Sequence, residues 1–317
     1  MDNFILNNTG SESDLGILDF IKKIKNKTSI TFETSGTTGA PKKTIHTFES
    51  LTKNIKIKSE LQNSIWGLTY DYRKIAGSQV ILQSYLNDGK IVNLIDKSKD
   101  EIIHLIDKFN ITHISGTPTF YRLLIDDIIF KNVKQITLGG EVVSEQLISK
   151  IKKCFPNSKI TNIYALTEFG TLFSSDKFYF EISKKNSIFV KIENNHIFVN
   201  QNEWIDTGDI IEWIDATKFK IIGRETNMIN VGGVKVNPIK IENYLNTLDY
   251  VKNSFVYSKE NSVMGNIVIA DIVLKYEVDK SKINFDLQKK LDKYETPLKI
   301  NIVKEIEINS TGKIIRK

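Results

Sequence analysis

The chain has 317 residues, 40% of them hydrophobic and 26% charged, with 44 Lys and Arg against 38 Asp and Glu for a net charge of +6. That balance fits a globular protein with a sizeable core and two domains, and the positive excess suits acidic partners such as nucleotides, coenzyme A or an acidic carrier protein. The single cysteine, Cys154, excludes a disulfide within the chain and a multi-cysteine metal site, and it favours a reduced, cytoplasmic setting.

No run of about 18 apolar residues exists to span a membrane. Residues 1–27 hold no continuous apolar stretch, so no leader is expected. Lysines are spread along the chain, with no basic helix face interleaved with aromatics, so nucleic acid is not an expected partner.

In chain order, residues 11–26 predict a capped helix on the spacing of Leu15, Leu18, Ile21 and Ile24. A strand at 29–33 leads into a polar loop, and 47–61 reads as a helix. Then follow a strand at Ser64–Thr69, a helix at Ile75–Leu86, a strand at Lys90–Ile95, a helix at Lys99–Phe109 and a strand at Ile111–Ser115. A helix opens at Pro118 and runs to about residue 128. A strand at Gln135–Leu138 ends on Gly139-Gly140-Glu141, and a helix at Ser144–Cys154 precedes a strand at Lys159–Tyr164. This alternation predicts an α/β fold: a mostly parallel sheet with helical crossovers, whose ligands sit beyond the carboxyl ends of the strands.

From 177 to 222 short β-prone runs alternate with turns and predict a small antiparallel β subdomain: Phe178–Ile182, Ser187–Ile192, His196–Asn200, Ile210–Ile214 and Phe219–Ile222. A hairpin over Met228–Val236, a helix from Pro238, strands at Ser254–Ser258 and Ile267–Lys275, a helix at 283–293 and a strand at 299–304 predict a compact α+β C-terminal domain. The domains are accordingly 1–223 and 224–317, with the hinge at 224–226.

The loop Thr34-Ser35-Gly36-Thr37-Thr38-Gly39-Ala40-Pro41-Lys42 packs four hydroxyls, two glycines and a lysine into nine residues. Glycines let backbone N–H groups approach a ligand, hydroxyls add donors and Lys42 adds charge, which together suit a phosphate. Five later segments accompany it: Gly139-Gly140-Glu141; Tyr164-Ala165-Leu166-Thr167-Glu168; Trp204-Ile205-Asp206-Thr207-Gly208-Asp209; Gly223-Arg224 through Val231-Gly232-Gly233-Val234; and Asn309-Ser310-Thr311-Gly312-Lys313. Each alone has an ordinary reading. Thr207-Gly208-Asp209 suits a plain turn, Glu168 a helix cap, and Lys313 a solvated tail.

Their order resembles the acyl-adenylating superfamily of acyl-CoA and aryl-CoA synthetases, peptide-synthetase adenylation domains and luciferases. The resemblance runs from about residue 29 to the C-terminus. It implies attack of a small carboxylic acid on Mg-ATP to give an acyl-adenylate and pyrophosphate. Thioester formation with coenzyme A or a carrier protein's phosphopantetheine follows. Residue by residue, it implies that Ser35, Thr37, Thr38 and Lys42, in the loop with Thr34, Gly36 and Gly39, hold the β- and γ-phosphates. Gly140 and Glu141 line the adenine pocket, with Tyr164 on the base. Thr167 contacts the α-phosphate, and Glu168 ligates Mg²⁺. Asp209 and Arg224 serve the ribose. Lys313 bridges carboxylate and α-phosphate, and Gly233 lines the thiol channel, where no side chain fits.

The chain departs from the family pattern at Ala165 (usually glycine), Thr226 (usually an Asp or Lys hinge) and Lys74 (near a common His). Relatives carry a long N-terminal subdomain before the phosphate loop, so the resemblance implies a short member. A non-catalytic nucleotide-binding relative, and an adenylating partner whose site another protein completes, stay open as alternatives. Asp71 reads as a surface residue in preference to a partner for a substrate amino group, and Arg73-Lys74 as a solvated basic turn in preference to a site for a second substrate carboxylate.

Overall fold

A computed structural model describes residues 4–26, 29–34, 42–53, 55–125, 128–183, 186–200 and 202–306. These fall into two compact units that meet in sequence at Lys177 and Phe178.

In the first unit, helix α1 (Glu12–Lys25) starts on a Ser11–Asp14 capping box. Its inward stripe is Asp14, Ile17, Phe20, Ile21 and Ile24. The expected Leu15 is instead 59% exposed, because Asp14 turns inward to a hydrogen-bonded position and rotates the stripe. Strands β1 (Ile30–Thr34) and β2 (Lys42–His46) pair antiparallel, with Thr34 opposite Lys42. The hydroxyl-rich loop thus joins two strands of a hairpin in sequence, and its residues Ser35, Gly36, Thr37, Thr38 and Gly39 lie outside the described residues.

Helix α2 (Phe48–Thr52) is one turn, capped by Thr47, rather than the helix expected over 47–61. Neighbouring amides explain the truncation. Gln83 and Asn87 take the backbone at Lys56 and Lys58: Gln83 Nε2 donates to Lys56 O, Lys56 N to Gln83 Oε1, and Lys58 N to Asn87 Oδ1. Those backbone groups are therefore committed outside a helix, and only a 3₁₀ turn at Ser59–Leu61 follows.

The main sheet then forms from β3 (Ile65–Leu68), helix α3 (Ile75–Tyr85), β4 (Lys90–Asn93), helix α4 (Lys99–Lys108), β5 (His113–Gly116), helix α5 (Pro118–Leu124), β6 (Gln135–Gly139), helix α6 (Glu145–Cys154) and β7 (Lys159–Leu166). Strands β3 to β7 are mutually parallel in the order β4-β3-β5-β6-β7. Ile91, Val92, Ile114, Ile136 and Leu138 are fully buried, as strands covered on both faces require. A sixth strand not expected from the sequence, β8 (Gly170–Ser175), closes one edge antiparallel to β7. Residues 4–7 cover the opposite edge. Leu6 N donates to Ile91 O, Ile91 N to Phe4 O, and the Asn7 amide exchanges two hydrogen bonds with the Asn93 backbone.

In the second unit, β9 (Phe180–Glu181), β10 (Val190–Glu193), β11 (His196–Asn200), β12 (Trp204–Trp213) and β13 (Lys218–Arg224) build an antiparallel sheet in the order β10-β11-β12-β13-β9. Next come the hairpin β14 (Ile229–Val231) and β15 (Val234–Val236), helix α7 (Pro238–Leu245), β16 (Val251–Asn261), β17 (Gly265–Leu274), helix α8 (Lys280–Gln288) and β18 (Lys299–Ile302). Ile241, Leu245, Tyr250, Ile272, Ile283 and Leu287 form its core. The expected fold class holds: a mostly parallel α/β sheet, a small β sheet, and a C-terminal α+β part.

Asp14 locks the N-terminal segment to the sheet. Its carboxylate accepts from Thr9 N, Thr9 Oγ1, Ser11 N and Asn93 Nδ2. Burial opposes its charge, but these bonds outweigh burial and hold its pKa below the ordinary value of 3.8. Asp14→Asn should cost about 1–3 kcal/mol at pH 7, because buried donors lose a charged acceptor. A carboxyl with a depressed folded pKa stabilises above its unfolded pKa and loses that contribution as the pH falls through the folded value. Urea midpoints of wild type and D14N should therefore converge in acid, below the ordinary carboxylate pKa.

Candidate active site

In the first unit, candidate residues collect at the carboxyl ends of the parallel strands. β6 ends at Gly139, paired beside Ile163 of β7, so Gly140 and Glu141 emerge next to Tyr164. Gly140 takes φ 85°, a left-handed value that suits glycine and turns the chain toward α5. Glu141 Oε2 accepts from Thr119 N at 2.9 Å, in the first turn of α5, where Thr117 caps and Pro118 leads. The buried Tyr70 hydroxyl donates to Gly139 O at 3.4 Å, and burial, with the Glu141 charge, pushes its pKa up. Tyr70, a buried core residue that supports the end of β6, was missed by the motif reading; its position just past β3 was the available signal.

Tyr164 and Ala165 span a bulge in the β7–β8 ladder. The half-buried Tyr164 ring stacks on Phe173 of β8, with centroids 5.9 Å apart at 24°. Thr167 and Glu168 lie in the turn joining β7 to β8, with Glu168 exposed. No helix follows, so Glu168 is not a helix cap. Its charge reaches the imidazole of His46, at the end of β2, and opposes the lowering of that ring's pKa by burial.

Asp71 corrects an expectation: its side chain is 5% exposed rather than on the surface. Arg73 binds it through Nε and Nη2, the latter at 2.8 Å from Oδ2, and donates its backbone N–H to Oδ1. Burial raises the Asp71 pKa, and the Arg73 bonds more than reverse this. Arg73 stays exposed in a turn, as expected, and from there pairs with the buried Asp71.

In the second unit, Thr207-Gly208-Asp209 is a bulge inside one long strand. His196 faces Ile210 and Phe198 faces Asp206, so Thr207, Gly208 and Asp209 oppose Ile197 alone. Each residue type has a task. Thr207 Oγ1 donates to Ile197 O and accepts from Asp209 N, and Gly208 supplies φ 71°. Asp209, 5% exposed, meets its cross-strand partner Arg224, whose Nε lies 3.0 Å from Oδ1. The two ribose candidates are therefore one ion pair.

Gly232 and Gly233 form the two-residue turn of β14–β15 with φ 57° and 88°, the left-handed pair such hairpins demand. A Cβ at Gly233 would meet nothing within 4 Å, so the turn by itself explains the glycine. Thr34 and Lys42 are placed as facing residues of the hairpin backbone, and Lys313 lies outside the described residues. Among the described residues no group of three His, Cys, Asp or Glu side chains is arranged to hold a metal. Among the described residues no helix is long and apolar enough to cross a membrane.

Residues 26–199 match the family model described as AMP-binding enzyme, and residues 240–313 that of the AMP-binding enzyme C-terminal domain. The chain is 23% identical over 323 residues to 2-succinylbenzoate–CoA ligase of Lactococcus lactis, covering 92% of this chain and 70% of the relative. It is 25% identical over 338 residues to 3,4-dihydroxybenzoate–[aryl-carrier protein] ligase of Bacillus anthracis, covering 97% and 77%. Among solved structures, o-succinylbenzoate coenzyme A synthetase from Bacillus subtilis in complex with ATP and magnesium ion superposes with a TM-score of 0.66 at 20% identity, covering 90% of this chain and 68% of that one. That likeness is one of fold.

The Gly232-Gly233 turn yields a direct test. Gly233→Val forces a β-branched residue to positive φ and should lower unfolding free energy by about 1–2 kcal/mol. Gly233→Asn, which tolerates that region, should stay within about 1 kcal/mol of wild type in the same denaturation experiment.

Proposed function

The chain belongs to the AMP-binding enzyme family, and from that premise we propose that it is an ATP-dependent acid–thiol ligase forming AMP. One observation carries the reading furthest: Gly140-Glu141, Tyr164 and the turn bearing Thr167 and Glu168 emerge together at the carboxyl ends of β6 and β7. Candidates to border the base and a carboxylate suited to a hard cation thus share one end of one sheet. The relatives named as CoA ligases and as an aryl-carrier-protein ligase support the same chemistry.

In this reading a substrate carboxylate oxygen attacks the α-phosphorus of ATP. The bond to the β-phosphate breaks, and pyrophosphate leaves. A thiolate then attacks the acyl carbon and AMP departs. No protein nucleophile is needed; positioning and charge stabilisation do the work. Ser35, Thr37, Thr38 and Lys42 hold the leaving pyrophosphate. Glu141 and Gly140 border the adenine, Tyr164 packs on it, and Thr167 meets the α-phosphate. Asp209, fixed by the bulge and Arg224, offers its carboxylate to the ribose hydroxyls. Lys313, on the proposed C-terminal domain of 224–317, bridges the two reacting groups.

The donor set fits magnesium, since one carboxylate with substrate phosphates is how that ion is commonly held. Glu168 is its proposed protein ligand, and the bound ion would neutralise phosphate charge. The acceptor is coenzyme A or a carrier protein's phosphopantetheine, and the substrate a small carboxylic acid. A cytoplasmic setting belongs to the same reading, supported by a lone, buried Cys154.

Acid-dependent exchange of labelled pyrophosphate into ATP, run over a panel of aliphatic and aromatic carboxylates, tests this. Wild type should exchange with at least one acid, and Lys313→Ala should lose about 10²–10³-fold, the scale of removing one transition-state charge partner. Absence of exchange with every acid, alongside intact ATP binding, would identify a non-catalytic binder instead.

A further inference from the structure

Thr44 and His46 lie two residues apart on β2, so they share one face of the hairpin with Phe32, which sits opposite Thr44. Phe32 is buried, and its ring meets the His46 imidazole edge-on at 5.6 Å. Neither Thr44 nor His46 belongs to the motifs above.

The tautomer of His46 follows from its neighbour. Ser50 Oγ has one proton and donates it to Thr47 O at 3.0 Å. Toward His46 Nδ1, 3.3 Å away, Ser50 Oγ can therefore only accept, so Nδ1 carries the hydrogen. In the neutral ring Nε2 is then a bare lone pair. Burial lowers the pKa of the imidazole against the opposing pull of Glu168. His46 Nε2 is shut off from solvent without a hydrogen-bond partner among the described residues, and Thr44 Oγ1 is in the same state. Buried polar atoms are nearly always satisfied, and two orphans on one face, reached by the charge of Glu168, mark a place where a partner arrives.

The chemistry narrows that partner. A lone pair repels phosphate oxygens and attracts a hydrogen-bond donor. Water bound to a divalent cation is such a donor, acidified by the ion, and magnesium keeps several waters when it binds with ATP. We propose that His46 Nε2 accepts a hydrogen bond from a water on the ATP-bound cation that Glu168 ligates, while the Thr44 hydroxyl donates to a polyphosphate oxygen. The proposal rests on the reading of Glu168 as the metal ligand, and it makes His46 a positioning residue for the metal.

Calorimetric titration separates these ideas without turnover. Mg-ATP, ATP in EDTA, and AMP are titrated into wild type, His46→Ala, His46→Gln and Thr44→Val, with thermal unfolding confirming that each variant folds. His46→Ala should weaken Mg-ATP about tenfold or more, the usual scale for a lost outer-shell partner, and leave metal-free ATP and AMP within about twofold. His46→Gln, which places an acceptor oxygen near the Nε2 position, should recover most of the loss. Thr44→Val should weaken both forms of ATP but not AMP. Equal weakening of all three nucleotides by His46→Ala, or unchanged Mg-ATP binding, overturns the proposal while leaving Glu168 in place. If wild type binds Mg-ATP no tighter than metal-free ATP, the metal role of Glu168 falls and this proposal falls with it.

Discussion

Parallel pairing of β3 to β7 is the constraint on which the first unit depends. Parallel neighbours need a crossover between them, and α3, α4, α5 and α6 supply the four crossovers. Those helices bury the sheet, which is why Ile91, Val92, Ile114 and Ile136 leave no alternating polar face. The same direction of pairing sends every carboxyl end to one side. Tyr70, Gly139-Gly140-Glu141 and Tyr164 are therefore neighbours by topology rather than by sequence distance. The antiparallel β8 completes the arrangement by turning the chain back at Thr167-Glu168, which keeps those two residues at the end of the sheet instead of leading them into a helix.

The second unit solves a different problem, that of presenting a buried carboxylate. Taking a charge out of water is costly unless it is paired. The β12 bulge meets that cost locally: Thr207 bonds both strands, Gly208 allows the backbone to turn, and Asp209 arrives opposite Arg224. Arg224 keeps 43% of its side chain exposed, so the pair is screened on one side and its contribution to stability is modest. Its value lies in orientation, since the guanidinium fixes one carboxylate oxygen and with it the aim of the other.

Much of this was legible in the sequence because periodicity and punctuation agree with the fold. The crossover order, Pro118 at the start of α5 and the Gly232-Gly233 turn all follow from local chemistry. What escaped depended on partners far along the chain. β2 reads as Lys-Lys-Thr-Ile-His, a polar stretch that becomes a strand only by pairing with β1. The helix expected through residue 61 loses to amides of Gln83 and Asn87, more than twenty residues away. Asp71 looked like a surface residue because nothing in its neighbours reveals that Arg73 folds back onto it. Thr207-Gly208-Asp209 was found as a motif, but a turn and a bulge use the same residue types, and only the register of β11 distinguishes them.

Polar satisfaction draws a line between scaffold and site. Away from the strand ends the buried polar groups are closed on one another. Asn93 joins Asn7, Ser13 and Asp14, and Asn87 spends its amide on Lys56 and Gln83 carbonyls. Such groups have no capacity left for a ligand, and changing them reads out as stability. On β2 the balance is reversed, because two side-chain atoms there are buried without partners, and only Asn253 Nδ2 shares that state among the described residues. Leaving a buried acceptor unpaired costs about 1–3 kcal/mol, and a fold that tolerates two of them on one strand gives up stability at that place. The strand that gives it up is the one that anchors the hydroxyl-rich loop. The cost is recovered when a ligand supplies the missing partners, so binding energy, rather than folding energy, completes this part of the core.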